Sequence, residues 1–482
     1  MSQHASTIVD PARWEGRLFN GAWIASPSGT LLIQEPANGR PLHAVGLAGA
    51  EDISAAVASA SKAQRDWAAA SPRERAAVLL RAAQILEVER DEIAALIARE
   101  TGGIHAKGEM EITESVARLH KAAAIALEPQ GEVLPSPSGR LSLARRVPIG
   151  VVGVISPFNF PLVLGFRSVA PALALGNAVI LKPDPRTPFS GGVVIAAALE
   201  QAGLPKGVLH MLPGGSDVGQ ALVEDPGVPM ISFTGSTAAG RRIGELAGSR
   251  LKKVSLELGG KNALIVLDDT DLDRAASAVA FGSWFHQGQI CMATGRVLAQ
   301  RTIVAELTRR LVEKAAASHN ALGPIIDRRQ LEHVVAVVRD SVAQGAVVEA
   351  GGSHEGLFYR PTVLSGVGPG VRAYREEVFG PVVSIIPFDT DEEATVLAND
   401  TEYGLATGIL SGSVGRALTL SERLRTGVLH INDQTVSDEV VNPFGGIGAS
   451  GNGSSVGGSA DLDLYTHWQW VTVRSQIPPY PF

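Results

Sequence analysis

The sequence predicts an α/β protein with a doubly wound parallel sheet, a second α/β block and a small β arm. Three observations point there. Strand-length apolar runs alternate with helix-period segments between 147 and 247, as a parallel sheet requires, because each crossover needs a helix. A second alternating block follows Glu257. Two β-prone stretches, near 131–146 and 452–482, belong to neither block.

In chain order, residues 18–24 and 30–34 read as short strands, with Asn38-Gly39 as a turn. From 50 to 98 Ala, Glu and Arg dominate, and Ala56, Val57, Leu79, Leu80, Ile85 and Ile93 recur at helical spacing. A further long helix is expected over 107–127. Pro, Gly and Ser gather at 132–139, so 131–146 reads as a hairpin projecting from the body. The run 147–155 reads as a buried strand. Helices are then expected over 162–175, 190–202, 218–223 and 238–247, alternating with strands over 178–182, 208–212 and 230–234. The second block reads as strands 262–266, 296–299, 347–349 and 382–387 with helices 271–284, 302–317 and 329–344. Near the end stand Tyr465, Trp468, Trp470, Val471 and Val473, residues suited to strand pairing.

A chain of 482 residues suggests two or three domains. At 45% hydrophobic and 19% charged, it is ordinary for a globular protein with a large core. The net charge of −7 argues against a nucleic-acid partner, which needs a concentrated basic surface. One cysteine rules out an intramolecular disulfide and fits a reducing compartment. Residues 1–10 are polar and lack a signal pattern. No run approaches the roughly 18–20 apolar residues that span a bilayer. The expectation is a soluble cytoplasmic protein with no membrane partner and no metal.

Five short segments carry chemistry. Phe233-Thr234-Gly235-Ser236 ends an apolar strand and opens a helix, whose free N–H groups suit a pyrophosphate; a plain strand-to-helix turn reads equally well. Lys182-Pro183 closes another strand, where a lysine either reaches a ribose hydroxyl or is a solvated charge. Cys291, in Gly288-Gln289-Ile290-Cys291-Met292, is either a small buried hydrophobe or a nucleophile for a carbonyl carbon. Glu257, at the head of Glu257-Leu258-Gly259-Gly260-Lys261, is either a base of raised pKa or a partner of Lys261. Asn159, in Pro157-Phe158-Asn159-Phe160-Pro161, is either a turn residue or an oxyanion donor.

Together these segments, with Glu376-Glu377-Val378-Phe379-Gly380-Pro381 and Pro443-Phe444-Gly445-Gly446, resemble the aldehyde dehydrogenase superfamily over nearly the whole length. The 34 residues from Glu257 to Cys291 also resemble the family's spacing. The resemblance implies a cofactor domain of residues 1–127 and 149–257 and a catalytic domain of 258–445. It implies an oligomerisation arm and C-terminal segment at 128–148 and 446–482, in a homodimer or homotetramer. It implies NAD or NADP as cofactor and a small aldehyde as substrate. Cys291 resembles the nucleophile that forms a thiohemiacetal and, after hydride transfer, a thioester. Asn159 and the Cys291 N–H would hold the oxyanion, and Glu257 would activate water. Lys182 and Glu377 resemble ribose contacts. Phe158, Gly219, Gly235, Ser236 and Phe379 resemble further cofactor contacts.

Two positions depart from the family pattern. Where many NAD-using members have a glutamate, three residues after the lysine, this chain has Pro185, followed by Arg186. A like-charge penalty against a 2′-phosphate is thereby lost, and Arg186 is placed to pair with such a phosphate. His286 stands where many members have asparagine and reads as a helix-end polar residue without a catalytic role. The segments 182–187, 286–292 and 468–473 resemble the benzaldehyde and vanillin dehydrogenase branch. Phe160, Leu164, Phe285, Ile290 and Phe444 are expected to line an apolar pocket for an aryl aldehyde, or else to be plain core. Two rival functions are a CoA-acylating enzyme, which needs no hydrolytic base, and a non-catalytic structural protein on the same fold.

Overall fold

Five parallel strands form the centre of the first sheet, in the order Lys253–Glu257, Met230–Thr234, Val151–Ile155, Ala178–Lys182 and Leu209–Met211. The computed structural model describes residues 8–318 and 321–482; residues 1–7, the start of the expected cofactor domain and of the polar stretch 1–10, lie outside it. The chain starts at the central strand, winds outward one way, then returns to fill the other side. This double winding creates a switch point between Val151–Ile155 and Met230–Thr234, where open α/β sheets bind ligands. The register levels Ile155, Lys182 and Glu257 with the Phe233-Thr234 end of the fourth strand. All four signature loops therefore leave the same edge.

Strands Arg17–Phe19 and Trp23–Ala25 extend this sheet as an antiparallel hairpin. The single strand expected at 18–24 is thus corrected to two, because Gly21 takes φ 94° and turns the chain. The run 147–155 is also two strands. Arg140–Pro148 leaves for another sheet, and the chain turns at Gly150, φ 123°, before Val151–Ile155. The helix expected from 190 begins with a π-turn, Phe189–Val193.

The second sheet has six parallel strands, in the order Thr362–Ser365, Val382–Phe388, Thr294–Gln300, Asn262–Val266, Ala406–Leu410 and Val428–Ile431; Val347–Ala350 joins antiparallel at one edge. Each sheet is covered by helices on an apolar core. Val152, Leu181, Phe166 and Phe189 anchor one side of the first, and Ile265, Leu298, Tyr374 and Phe388 anchor one side of the second. A third sheet pairs Thr466–Arg474, Arg140–Pro148 and Gly131–Leu134 antiparallel. Among the described residues no helix is long and apolar enough to cross a membrane.

Candidate active site

The link Leu258-Gly259-Gly260-Lys261 carries the chain from the end of the first sheet into Asn262–Val266 of the second. Glu257 therefore stands where the sheets meet. It is 4% exposed, and neither carboxylate oxygen has a hydrogen-bond partner among the described residues. Burial raises its pKa to about 8; the Arg167 charge opposes the rise and Asp438 adds to it.

Cys291 follows a bent segment. The helix Leu272–Trp284 stops, and His286, Gln287 and Gly288 take φ 48°, 56° and 65° in succession. Two non-glycine residues in the left-handed region cost about 1–2 kcal/mol each, so the surroundings must hold them there. At Gly288 a Cβ would stand 2.2 Å from the Gly380 carbonyl oxygen. Beyond the bend, Asn262 Nδ2 donates to the Cys291 carbonyl at 2.7 Å and to that of Ala293 at 2.9 Å. Gly260 lets that carbonyl approach, since a Cβ there would meet it at 2.6 Å. The Cys291 N–H has no partner among the described residues. The thiol is half-buried. Burial pushes it up to about 12, against the opposing charge of Arg167, with Glu377, Glu257 and Asp438 adding to the rise.

Asn159 hangs from the loop after Val151–Ile155 and is 4% exposed. Its Nδ2 donates to the Gln289 carbonyl at 2.9 Å, which ties the loop to the segment just before Cys291. That bond uses one of two N–H groups. The helix Pro161–Ala174 begins two residues on, without a side-chain cap of its own. Glu111, from the helix His105–Ala126, supplies the acceptor: its Oε2 takes the N–H of Leu162 at 3.0 Å and of Val163 at 3.3 Å.

Along the same sheet edge lie the residues expected to hold a dinucleotide. Lys182 is 6% exposed, and burial lowers its pKa, opposed by Asp184 and Asp217. A Cβ on Gly219 would lie 3.6 Å from the Lys182 side chain. Gly235 donates its N–H to the Glu257 carbonyl at 3.0 Å, and Ser236 caps the helix Thr237–Gly248. Glu377 is raised to about 7 by burial, against a 3.0 Å hydrogen bond from the Gly260 N–H and the Lys261 charge. Phe379 takes φ 50° and meets Phe158 edge-on, ring centroids 5.8 Å apart.

Arg186 is also here, but its charge is already engaged. Its Nε and Nη2 donate to the two oxygens of Asp184 at 2.9 and 2.8 Å, and Nη1 donates to Asp327 at 3.1 Å. Its guanidinium carbon lies 3.9 Å from the centre of the Phe158 ring. A phosphate arriving at Arg186 meets two carboxylates first.

Of the expected pocket residues, Phe160, Phe285, Ile290 and Phe444 belong, like Cys291, to the extended apolar core that also holds Phe166 and Phe189. Phe160 and Phe285 are 6.4 Å apart. Leu164 is buried on the same helix but is not part of that cluster. The view of His286 as a plain helix-end polar residue is corrected. It is buried, meets Phe160 edge-on at 5.2 Å, and its pKa is held well below the usual histidine range by burial and by Lys107. Motif reasoning missed Arg167, Asn262, Glu111 and Asp438. Arg167 left a signal, as the one charge in the apolar helix Pro161–Ala174.

The chain is similar to known proteins over nearly its whole length. The family model described as "Aldehyde dehydrogenase family" matches residues 23–471. A vanillin dehydrogenase of Amycolatopsis sp. is 52% identical over 99% of this chain and 100% of its own. A benzaldehyde dehydrogenase [NAD(+)] of Pseudomonas putida is 46% identical over 97% of this chain and 98% of its own. A crystal structure of betaine aldehyde dehydrogenase from Staphylococcus aureus in complex with NAD+ superposes with a TM-score of 0.95 at 28% identity, covering 98% of each chain. A thiol, a desolvated carboxylate and a side-chain amide gathered between two α/β sheets, in a chain matched from end to end by such relatives, identify this protein as a member of the aldehyde dehydrogenase family.

Proposed function

We propose that the protein oxidises an aryl aldehyde of the benzaldehyde type to its carboxylate, with NAD as the hydride acceptor and a thioester on Cys291. The observation that carries this reading is Glu257: a buried carboxylate, unpaired on both oxygens, within electrostatic reach of the thiol.

The residues present fit the cofactor. Lys182 has an ammonium with no hydrogen bond or ion pair among the described residues, near the uncapped side of Gly219. The helix Thr237–Gly248 presents its N-terminus and the Ser236 hydroxyl at the same edge. Lys182 and Glu377 would hold the two riboses, Gly219, Gly235 and Ser236 the phosphates, and Phe158 and Phe379 the nicotinamide side. When bound there, NAD supplies the acceptor for the hydride that takes the substrate carbon to the acyl level. The NAD-named relative and the NAD-bound neighbour support NAD as a cofactor, and the carboxylates already on Arg186 weigh against a 2′-phosphate there.

The chain's own groups supply the rest. A thiol at about 12 does not ionise by itself near neutral pH, so the S–C bond forms as the thiol proton passes to solvent, which the half-buried residue still meets. The carbonyl oxygen becomes an oxyanion within reach of the second Asn159 N–H and the free Cys291 N–H. After oxidation, Glu257 takes a proton from water, the water oxygen bonds to the acyl carbon, and the C–S bond breaks as that proton passes from Glu257 to the sulfur, restoring the thiol and the base. Glu257 favours water as acyl acceptor over CoA. The aromatic rings of Phe160, Phe285 and Phe444 suit a flat substrate. The proposed division at 127, 149, 257 and 445 gives each of the two larger units one seven-stranded sheet, which supports it. The exposed Trp468 and Trp470 on the third sheet suit pairing between subunits.

The test is kcat/KM for benzaldehyde, vanillin and hexanal, each with NAD and with NADP. The expected result is that both aryl aldehydes exceed hexanal and NAD exceeds NADP. A preference for hexanal, or acyl-CoA formed faster than acid, refutes the reading.

A further inference from the structure

We infer that Arg186 is a strap across the mouth of the dinucleotide cleft, tied to Asp184 on one side and to Asp327 on the other, and that it gates entry and exit of the cofactor. The inference rests on the cofactor reading above and adds how a bound dinucleotide is kept in place.

The strap has a rigid foot. Asp184 stands two residues beyond the strand Ala178–Lys182. Its Oδ1 accepts both the backbone N–H and the Nε of Arg186, each at 2.9 Å, and its Oδ2 accepts Nη2 at 2.8 Å. A forked pairing of this kind fixes the plane of the guanidinium as well as its position. Nη1 is then aimed away from the foot, and it donates to Asp327 Oδ2 at 3.1 Å, 141 residues further along the chain.

Asp327 belongs to the second α/β unit. Its Oδ1 accepts the Gln330 N–H at 2.8 Å and so caps the helix Arg328–Ala343. Leu331 and Val334 of that helix pack into the core of the second sheet with Ile265 and Leu298. Gln330 Nε2 donates to the carbonyls of Phe379 at 3.0 Å and Val378 at 3.3 Å. Arg186 therefore joins the two units at the place where Phe158 of the first meets Phe379 of the second, with its guanidinium carbon 3.9 Å from the centre of the Phe158 ring.

The strength of the bond suits a gate. The side chains of Arg186 and Asp327 are 37% and 33% exposed. An ion pair so open to water and salt holds weakly and breaks readily. The same pair closes the mouth with or without cofactor inside. Its loss should thus speed entry and exit alike and cancel in the equilibrium constant, because a contact common to both states does not shift the balance between them. A pair that merely braced the site would weaken binding when broken. Arg186 is in this sense a positioning residue, not a catalytic one.

The experiment measures NADH association and dissociation rates by stopped-flow fluorescence in the wild type, Asp327→Asn and Arg186→Met, at about 0.05 M and about 0.5 M salt. Asn caps a helix as well as Asp does, so Asp327→Asn removes the charge and keeps the cap. Arg186→Met keeps an unbranched stem beside Phe158. In both variants each rate constant is expected to rise about threefold to fivefold, while Kd changes by less than about twofold. Salt should speed dissociation in the wild type and do so much less in the variants, since screening weakens only a pair that is present. Should Asp327→Asn fail to fold, the partly exposed Arg186→Met carries the comparison. Rates equal to the wild type overturn the strap, as does a change confined to one of the two rates. Slower dissociation from Asp327→Asn also overturns it and makes the freed Arg186 a ligand of the cofactor. A wild type that binds no NADH overturns the cofactor reading itself, an outcome separable from the others.

Discussion

Replacing Glu257 by glutamine should separate the two halves of the reaction. The substitution keeps shape and removes the proton acceptor. With a pKa of about 8, about a tenth of Glu257 is ionised at pH 7 and about nine tenths at pH 9. Steady turnover of the wild type should therefore rise about tenfold across that interval, because the ionised form is the base. Removing a general base costs about 10²–10⁴-fold. Glu257→Gln should accordingly turn over at least about a hundredfold more slowly, lose the rise near pH 8, and still release one equivalent of NADH per site in a stopped-flow burst. Acyl-enzyme should accumulate and be visible as added mass on the intact protein. The reasoning is refuted if steady turnover is normal or if the pH rise persists in the variant. If the burst slows as much as the turnover, Glu257 acts instead on the thiol. The same pKa has a sign in stability. A carboxyl at about 8 when folded and 4.5 otherwise binds its proton more tightly in the native state. Its contribution to stability thus falls as pH rises from 4.5 to 8 and is level above that.

Three further outcomes are expected. Cys291→Ala should abolish oxidation yet still bind NAD, as read by quenching of tryptophan fluorescence; residual turnover equal to the wild type sinks the nucleophile assignment. Asn159→Ala should lower kcat about 10²–10³-fold with little change in KM, since an oxyanion donor acts mainly in the transition state; a change confined to KM makes it a binding residue. Asp184→Asn should free Arg186, whose Nε and Nη2 it now holds. The NADP-to-NAD ratio of dissociation constants should then shift about tenfold towards NADP, the effect of one charge-assisted hydrogen bond of about 1.5 kcal/mol, and an unchanged ratio refutes the restraint.

Much of the candidate site was legible because its expected residues lie in short segments at the ends of strands. Lys182, Ser236 and Glu257 each end an apolar strand or open the helix beyond it, and an alternating pattern locates such positions without coordinates. What stayed hidden depends on long-range contact. Arg118 and Asp438 are 320 residues apart in sequence, and Glu111 caps a helix 51 residues away. Strands Ala406–Leu410 and Val428–Ile431 and the helix Val414–Ser421 were not read as elements. They are short, and glycines interrupt the first strand and the helix. Apolar runs also conceal breaks: 147–155 looks continuous, yet the chain turns at Gly150 and sends Arg140–Pro148 to pair with Thr466–Arg474.

The backbone around Cys291 explains why the thiol and the carboxylate can stay unsatisfied. Left-handed turns at His286, Gln287 and Phe379 and a desolvated Glu257 all oppose folding locally. They persist because rigid elements fix each one from outside: Asn262 and Asn159 hold the carbonyls of Cys291 and Gln289, and Ile326 N–H donates to the Gln289 side chain at 3.0 Å. None of these bonds ends on the sulfur, on the Cys291 N–H or on the Glu257 oxygens. The sulfur, the Cys291 N–H and the Glu257 oxygens are therefore positioned through their neighbours while their own hydrogen-bonding capacity stays open. A substrate carbonyl and a water can then satisfy it, and that satisfaction can be greatest at the transition state, where it accelerates the reaction.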